Sequence, residues 1–68
     1  MHSELNPINL ADVLYNIAFC YSKMGESKEA VDYATEGLKI YRECLPSNHD
    51  YILKTEELLR SIEGGKMI

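Results

Sequence analysis

The chain has no tryptophan, a single phenylalanine, two prolines and two cysteines in 68 residues. Two cysteines are too few for a disulfide scaffold, and they imply a reduced, cytoplasmic setting. Cys20, Cys44, His2 and His49 show no metal-ligand spacing, so no metal is expected. No glycine-rich phosphate loop precedes a helical segment, so no nucleotide or other cofactor is expected. Basic residues are the minority, 7 against 11 acidic, for a net charge of −4. Phosphate contacts need a basic face, which excludes nucleic acid as the expected partner. No apolar run approaches the roughly 20 residues that cross a bilayer, so no membrane partner is expected. The start, Met1-His2-Ser3-Glu4, lacks the basic and apolar regions of a signal peptide. Glu56-Glu57 is a carboxylate pair in sequence only, because adjacent helical residues diverge by about 100°. His49-Asp50 has no nucleophile beside it. No catalytic set remains, and the chain is read as not an enzyme.

What is present is a folded composition, with 46% hydrophobic and 26% charged residues, too apolar for disorder. A domain this short buries only about 60% of its unfolded surface, so its core is thin. The breakers Asn6-Pro7, Gly25, Pro46-Ser47-Asn48 and Gly64-Gly65 separate three periodic segments. No segment alternates with period two, so strands are not expected.

The first helix is predicted over about residues 9–24, with Leu10, Leu14, Ile17, Ala18 and Tyr21 as its apolar stripe. Either Asn9 with Asp12, or Asn6 followed by Pro7, can open it. Val13, Tyr15, Phe19, Cys20 and Met24 make it apolar around much of its circumference, as a helix packed on more than one side would be. Gly25 supplies a left-handed stop. The second helix is predicted over about 27–45, opened by Glu26 or Ser27, with a small face at Ala30, Ala34 and Gly37 that allows close approach of a neighbour. The third is predicted over about 48–63, with Ser47 and Asp50 as a capping box and Tyr51, Ile52, Thr55, Leu58, Leu59 and Ile62 as its stripe. Gly64-Gly65 is expected to stop it, leaving residues 64–68 as a flexible tail. Short connections make the helices antiparallel neighbours in one domain spanning 1–68.

The third helix falls on the first at an offset of 41 residues: Ile17 onto Leu58, Ala18 onto Leu59, Tyr21 onto Ile62. Leu14, Ile17-Ala18, Tyr21, Gly25, Ala30, Ala34 and Gly37 together resemble a tetratricopeptide repeat. The pattern departs from the usual one at Leu14, which replaces a Trp, at Ala34, where an aromatic is common, and after Gly37, where no Pro follows. The second helix instead continues through Leu45 before Pro46 and His49, and the offset exceeds the usual 34. Both features are similar to the longer repeats of kinesin light chain. The resemblance implies an all-α fold: an antiparallel helix-turn-helix repeat plus a third, capping helix, a fragment of an α-solenoid. A solenoid normally needs about three repeats. With about one and a half, the chain is expected to be part of a longer array or to complete its core by self-association.

The resemblance also implies a protein or peptide partner held in a groove lined by the first and third helices. Carried over position by position, the groove residues are Asp12, Tyr15, Asn16, Phe19, Ser22 and Lys23, with Leu53, Glu56, Glu57, Arg60 and Glu63 from the third helix. Asn16 is either a contact to a peptide backbone, which its amide suits, or a solvated polar residue. Tyr15 and Phe19 stand where carboxylate-gripping members carry Lys and Asn, so a carboxylate clamp is not expected. They form either an aromatic ledge for a ligand or a packing surface for a further helix. The alternative function is structural: a homodimer or stacked assembly made through Tyr15, Phe19 and the small face of the second helix.

Overall fold

The computed structural model describes residues 6–65. The predicted tail residues Lys66, Met67 and Ile68 lie outside that range. Three helices follow one another: α1 (Pro7–Lys23), α2 (Ser27–Cys44) and α3 (Asp50–Gly65).

Local chemistry sets the boundaries. Asn6 opens α1, its Oδ1 accepting from the Ile8 N–H at 2.9 Å, with Pro7 in the first helical turn. Asn9, the other candidate cap, is inside the helix. At the far end Gly25 has φ +81°. The Glu26 N–H reaches the Tyr21 carbonyl at 2.9 Å and the Gly25 N–H that of Ser22 at 3.2 Å, the two bonds of a Schellman turn. Glu26 precedes α2 without a side-chain capping bond. The expected Ser47–Asp50 box does not open α3. His49 does so instead, its Nδ1 accepting from the Tyr51 N–H at 3.0 Å. Gly64-Gly65 does not stop α3, which includes both. Glycine without a positive φ is merely a weak helix former, and among the described glycines only Gly25 has one.

α1 and α2 form an antiparallel hairpin whose crossing is made of small residues. Ala11, Ala18, Ala30 and Ala34 are fully buried. At Gly37 an added Cβ would sit 3.2 Å from the Ala11 carbonyl oxygen and 3.4 Å from Leu14 Cβ. The small face of α2 is therefore consumed inside the hairpin and is not a surface for self-association.

α3 lies mainly against α2. Ile52, Thr55 and Ile62 are its buried residues. The Thr55 hydroxyl is satisfied by the Tyr51 carbonyl at 2.7 Å. Tyr41, Ile52, Ala11 and Leu38 form the central cluster, where all three helices meet. The apolar stripe predicted for α1 is only partly the core face: Ala18 is buried, but Leu10 is half exposed. The reason is rotational, because the residues that meet α2 are Ala11, Leu14 and Ala18, and Leu10 stands roughly 100° from Ala11.

Candidate functional site

Between the C-terminal parts of α1 and α3 lies an open cleft of about 500 Å³. Phe19, Ser22 and Lys23 line it from α1, Leu58, Ser61 and Ile62 from α3, and Gly25 and Ser27 close the end at the turn. Three of the expected groove residues are thus in the cleft. Ser22 donates its hydroxyl to the Phe19 carbonyl at 2.7 Å, which leaves its oxygen able to accept from a ligand.

Tyr15 stacks on Phe19 with ring centroids 6.5 Å apart, continuing the cleft wall one turn back along α1. Cations flank this pair at both ends. The Lys23 ammonium stands 5.1 Å from the Phe19 ring centroid. Lys54 of α3 stands 4.4 Å from Tyr15 and 4.8 Å from Tyr51. Tyr51 in turn meets the His49 ring edge-on at 4.7 Å. The result is a strip of rings and ammonium groups reaching from the α2–α3 loop to the α1–α2 turn. Lys54, Tyr51 and Ser61 were missed by sequence reasoning. The 41-residue alignment was the signal that placed them elsewhere, since it pairs Lys54 with Val13 rather than with a groove position.

Other expected groove residues lie elsewhere. Asp12 is engaged within the fold: its Oδ1 accepts a hydrogen bond from the Tyr41 hydroxyl, tying α1 to α2. Burial pushes the Tyr41 phenol above its ordinary value of 10.0, and the Asp12 carboxylate reinforces the shift. Glu56 is likewise engaged, accepting from Arg42 of α2 at 2.7 Å. Glu57 and Arg60 are exposed on α3, and neither lines the cleft. Asn16 points away from Tyr15 and sits instead with Ile17, Cys20, Tyr21 and Met24 around a separate hollow. Cys20 and Cys44 are free and exposed. Among the described residues no His, Cys, Asp and Glu cluster has metal-binding geometry, and no helix is long and apolar enough to cross a membrane.

The tetratricopeptide repeat family model matches residues 11–44, half of the chain, from the first buried alanine of α1 to the last residue of α2. The chain belongs to the tetratricopeptide repeat family. No curated protein and no solved structure matches it. The tetratricopeptide match covers the α1–α2 hairpin, and α3 follows as the helix that covers its open side. Tetratricopeptide repeats generally mediate protein–protein interaction.

Proposed function

We propose that the chain is a non-catalytic interaction module that holds an extended peptide segment along the Tyr15–Phe19 wall and in the cleft between α1 and α3. The observation that carries this reading is the pairing of an exposed aromatic wall with ammonium groups at both ends. Phe19 is 42% exposed and stacks on the half-buried Tyr15, so the pair offers a continuous aromatic surface. An apolar ligand side chain fits against the two rings. Lys23 and Lys54 favour a segment that also carries carboxylates, and Asp12 and Glu56 are already bonded internally. The binding set is therefore Tyr15, Phe19, Lys23 and Lys54, with Ser22 and Ser61 as hydrogen-bonding groups. Asn16, Glu57 and Arg60 do not line the cleft: Asn16 sits at the separate hollow beside Ile17 and Cys20, and Glu57 and Arg60 are exposed on α3.

The kinesin-light-chain-like variety of the repeat belongs to the same proposal. It is supported by the length of α2, which continues to Cys44, and by the 41-residue offset between α1 and α3.

A random peptide library displayed against the chain tests the reading. The selected peptides are expected to combine an apolar residue with acidic ones. Tyr15→Ala and Phe19→Ala should each weaken the best peptide at least about tenfold, the range of an interface anchor. Lys23→Gln with Lys54→Gln should reduce the salt dependence of binding. Peptides whose affinity ignores all four changes would place the binding surface elsewhere.

A further inference from the structure

The side of α1 turned away from the cleft carries an apolar stripe that the described residues leave largely exposed. Leu10, Val13, Ile17, Cys20 and Met24 step by 3, 4, 3 and 4. That is a strict heptad seam, the narrow pattern of a helix that packs on another helix, and it runs about 21 Å along α1. Leu10 is 50% exposed, Val13 51% and Met24 63%.

The stripe is not uniform. In its C-terminal half Ile17, Cys20, Tyr21 and Met24, with Asn16 at the rim, surround an open hollow of about 380 Å³. These four residues stand at i, i+3, i+4 and i+7, the set that forms the hole for a knob in coiled-coil packing. Tyr21 is held in place by stacking on Tyr33 of α2, centroids 5.6 Å apart and nearly parallel, so one wall of the hollow is rigid. In the N-terminal half Leu10 and Val13 project without a socket. Knobs at one end and a hole at the other end of the same helix are complementary to themselves under a two-fold axis, and only if the two helices run antiparallel.

We infer that this face of α1 binds a second copy of the chain, pairing α1 with α1 antiparallel about an axis near Ile17. Leu10 of each copy then faces Met24 of the other, Val13 faces Cys20, and the knobs enter the hollows from both sides.

Self-complementarity selects the occupant, and charge selects the face: the chain carries net −4, so two copies meet with least repulsion on a face without charges. α1 has only two charged residues, and both are turned elsewhere, Asp12 to the Tyr41 hydroxyl and Lys23 to the Phe19 ring. A parallel pair would bring the two Lys23 ends and the two helix dipoles into line, which the antiparallel pair avoids. Head-to-tail stacking is disfavoured because the open side of α3, apart from Leu53, carries Glu57, Arg60 and Glu63, which match an apolar stripe poorly. The equivalent face of α3, Tyr51, Lys54, Leu58 and Ser61, 41 residues after Leu10, Val13, Ile17 and Cys20, turns toward α1 across the cleft. The uncovered face on α1 is the more apolar of the two. Tyr15 and Phe19 lie on the other side of α1, so the dimer leaves both clefts open and presents two of them.

Sedimentation velocity on the full chain, from micromolar to about 1 mM, is expected to show a monomer–dimer equilibrium. Val13→Lys and Leu10→Lys change half-exposed positions, so far-UV helicity should stay unchanged while the dimer weakens at least about tenfold, because each buries two ammonium groups per pair. Register is read by cross-linking. A Val13→Cys chain in a Cys44→Ser background, treated with copper-phenanthroline, should join position 13 of one copy to Cys20 of the other. The two thiols lose two protons and pass two electrons to the added oxidant. The Cys44→Ser chain alone should cross-link poorly, since its Cys20 faces Val13. A chain that remains monomeric at about 1 mM overturns the inference, as does a dimer that both lysine variants leave intact. Cys20-to-Cys20 cross-linking at equal yield in the Cys44→Ser chain overturns the antiparallel register.

Discussion

At the scale of single residues, Tyr41 ties the molecule together. It is fully buried, hydrogen-bonded to Asp12 of α1 and 5.4 Å ring to ring from Tyr51 of α3. From the sequence it is one more apolar-stripe residue of α2. Its hydroxyl adds a titration. Because the folded phenol holds its proton above the ordinary value of 10.0, the unfolded chain ionises first as pH rises. The unfolded state then binds fewer protons than the native one, so stability falls with pH from about 10 upward and is fully present below that value. Urea unfolding followed by circular dichroism at pH 8 and pH 11 should show this loss. Tyr41→Phe should cost about 1–2 kcal/mol at pH 8 through the lost bond to a carboxylate, and its stability should depend less on pH between 8 and 11. Equal pH dependence in the two proteins would remove Tyr41 as the source.

At the scale of elements, the α1–α2 hairpin depends on close backbone approach more than on large side chains. Alanines and Gly37 form the crossing, and the nearest obstacle to a larger residue at position 37 is the Ala11 main-chain carbonyl at 3.2 Å. A backbone group inside a helix yields little. Gly37→Val should destabilise the hairpin by about 1–3 kcal/mol, despite replacing a poor helix former, because overpacking outweighs the propensity gain. Thermal unfolding checks this, and an unchanged or raised midpoint would show that the helices can separate without loss.

At the scale of the whole molecule, the described core is thin. Tyr41, Ile52 and Thr55 are its largest fully buried side chains, while Leu10, Val13, Met24 and Leu53 stay substantially exposed. Such a domain has only a few kcal/mol of stability to distribute. The inferred pairing of α1 with a second copy would couple folding to association. The melting temperature should therefore rise with protein concentration, and Val13→Lys should make it concentration-independent. Calorimetry over a hundredfold concentration range reads this directly, and a flat melting temperature in the unmodified chain would separate its stability from association.

Helix number, type and approximate ends were legible from local sequence, because periodicity, Gly25 and Pro46 act within a few residues of themselves. The small residues at positions 18, 25, 30, 34 and 37 were legible as a family pattern for a related reason: a close helix crossing admits few residue types. The rotation of each helix about its axis was not legible. α1 is apolar almost all round, so its sequence leaves open which side meets α2, which lines the cleft and which stays bare. Only the packed hairpin decides that Ala11 and Ala18 face inward, that Phe19 lines the cleft with Tyr15 stacked on it, and that Leu10, Val13 and Met24 stay exposed. The same holds for Lys54, Asp12 and Glu56, whose partners lie 14 to 39 positions away along the chain. Local sequence determined what each segment becomes; contacts between segments, which depend on helix rotation and crossing, decided which surfaces remain to bind anything.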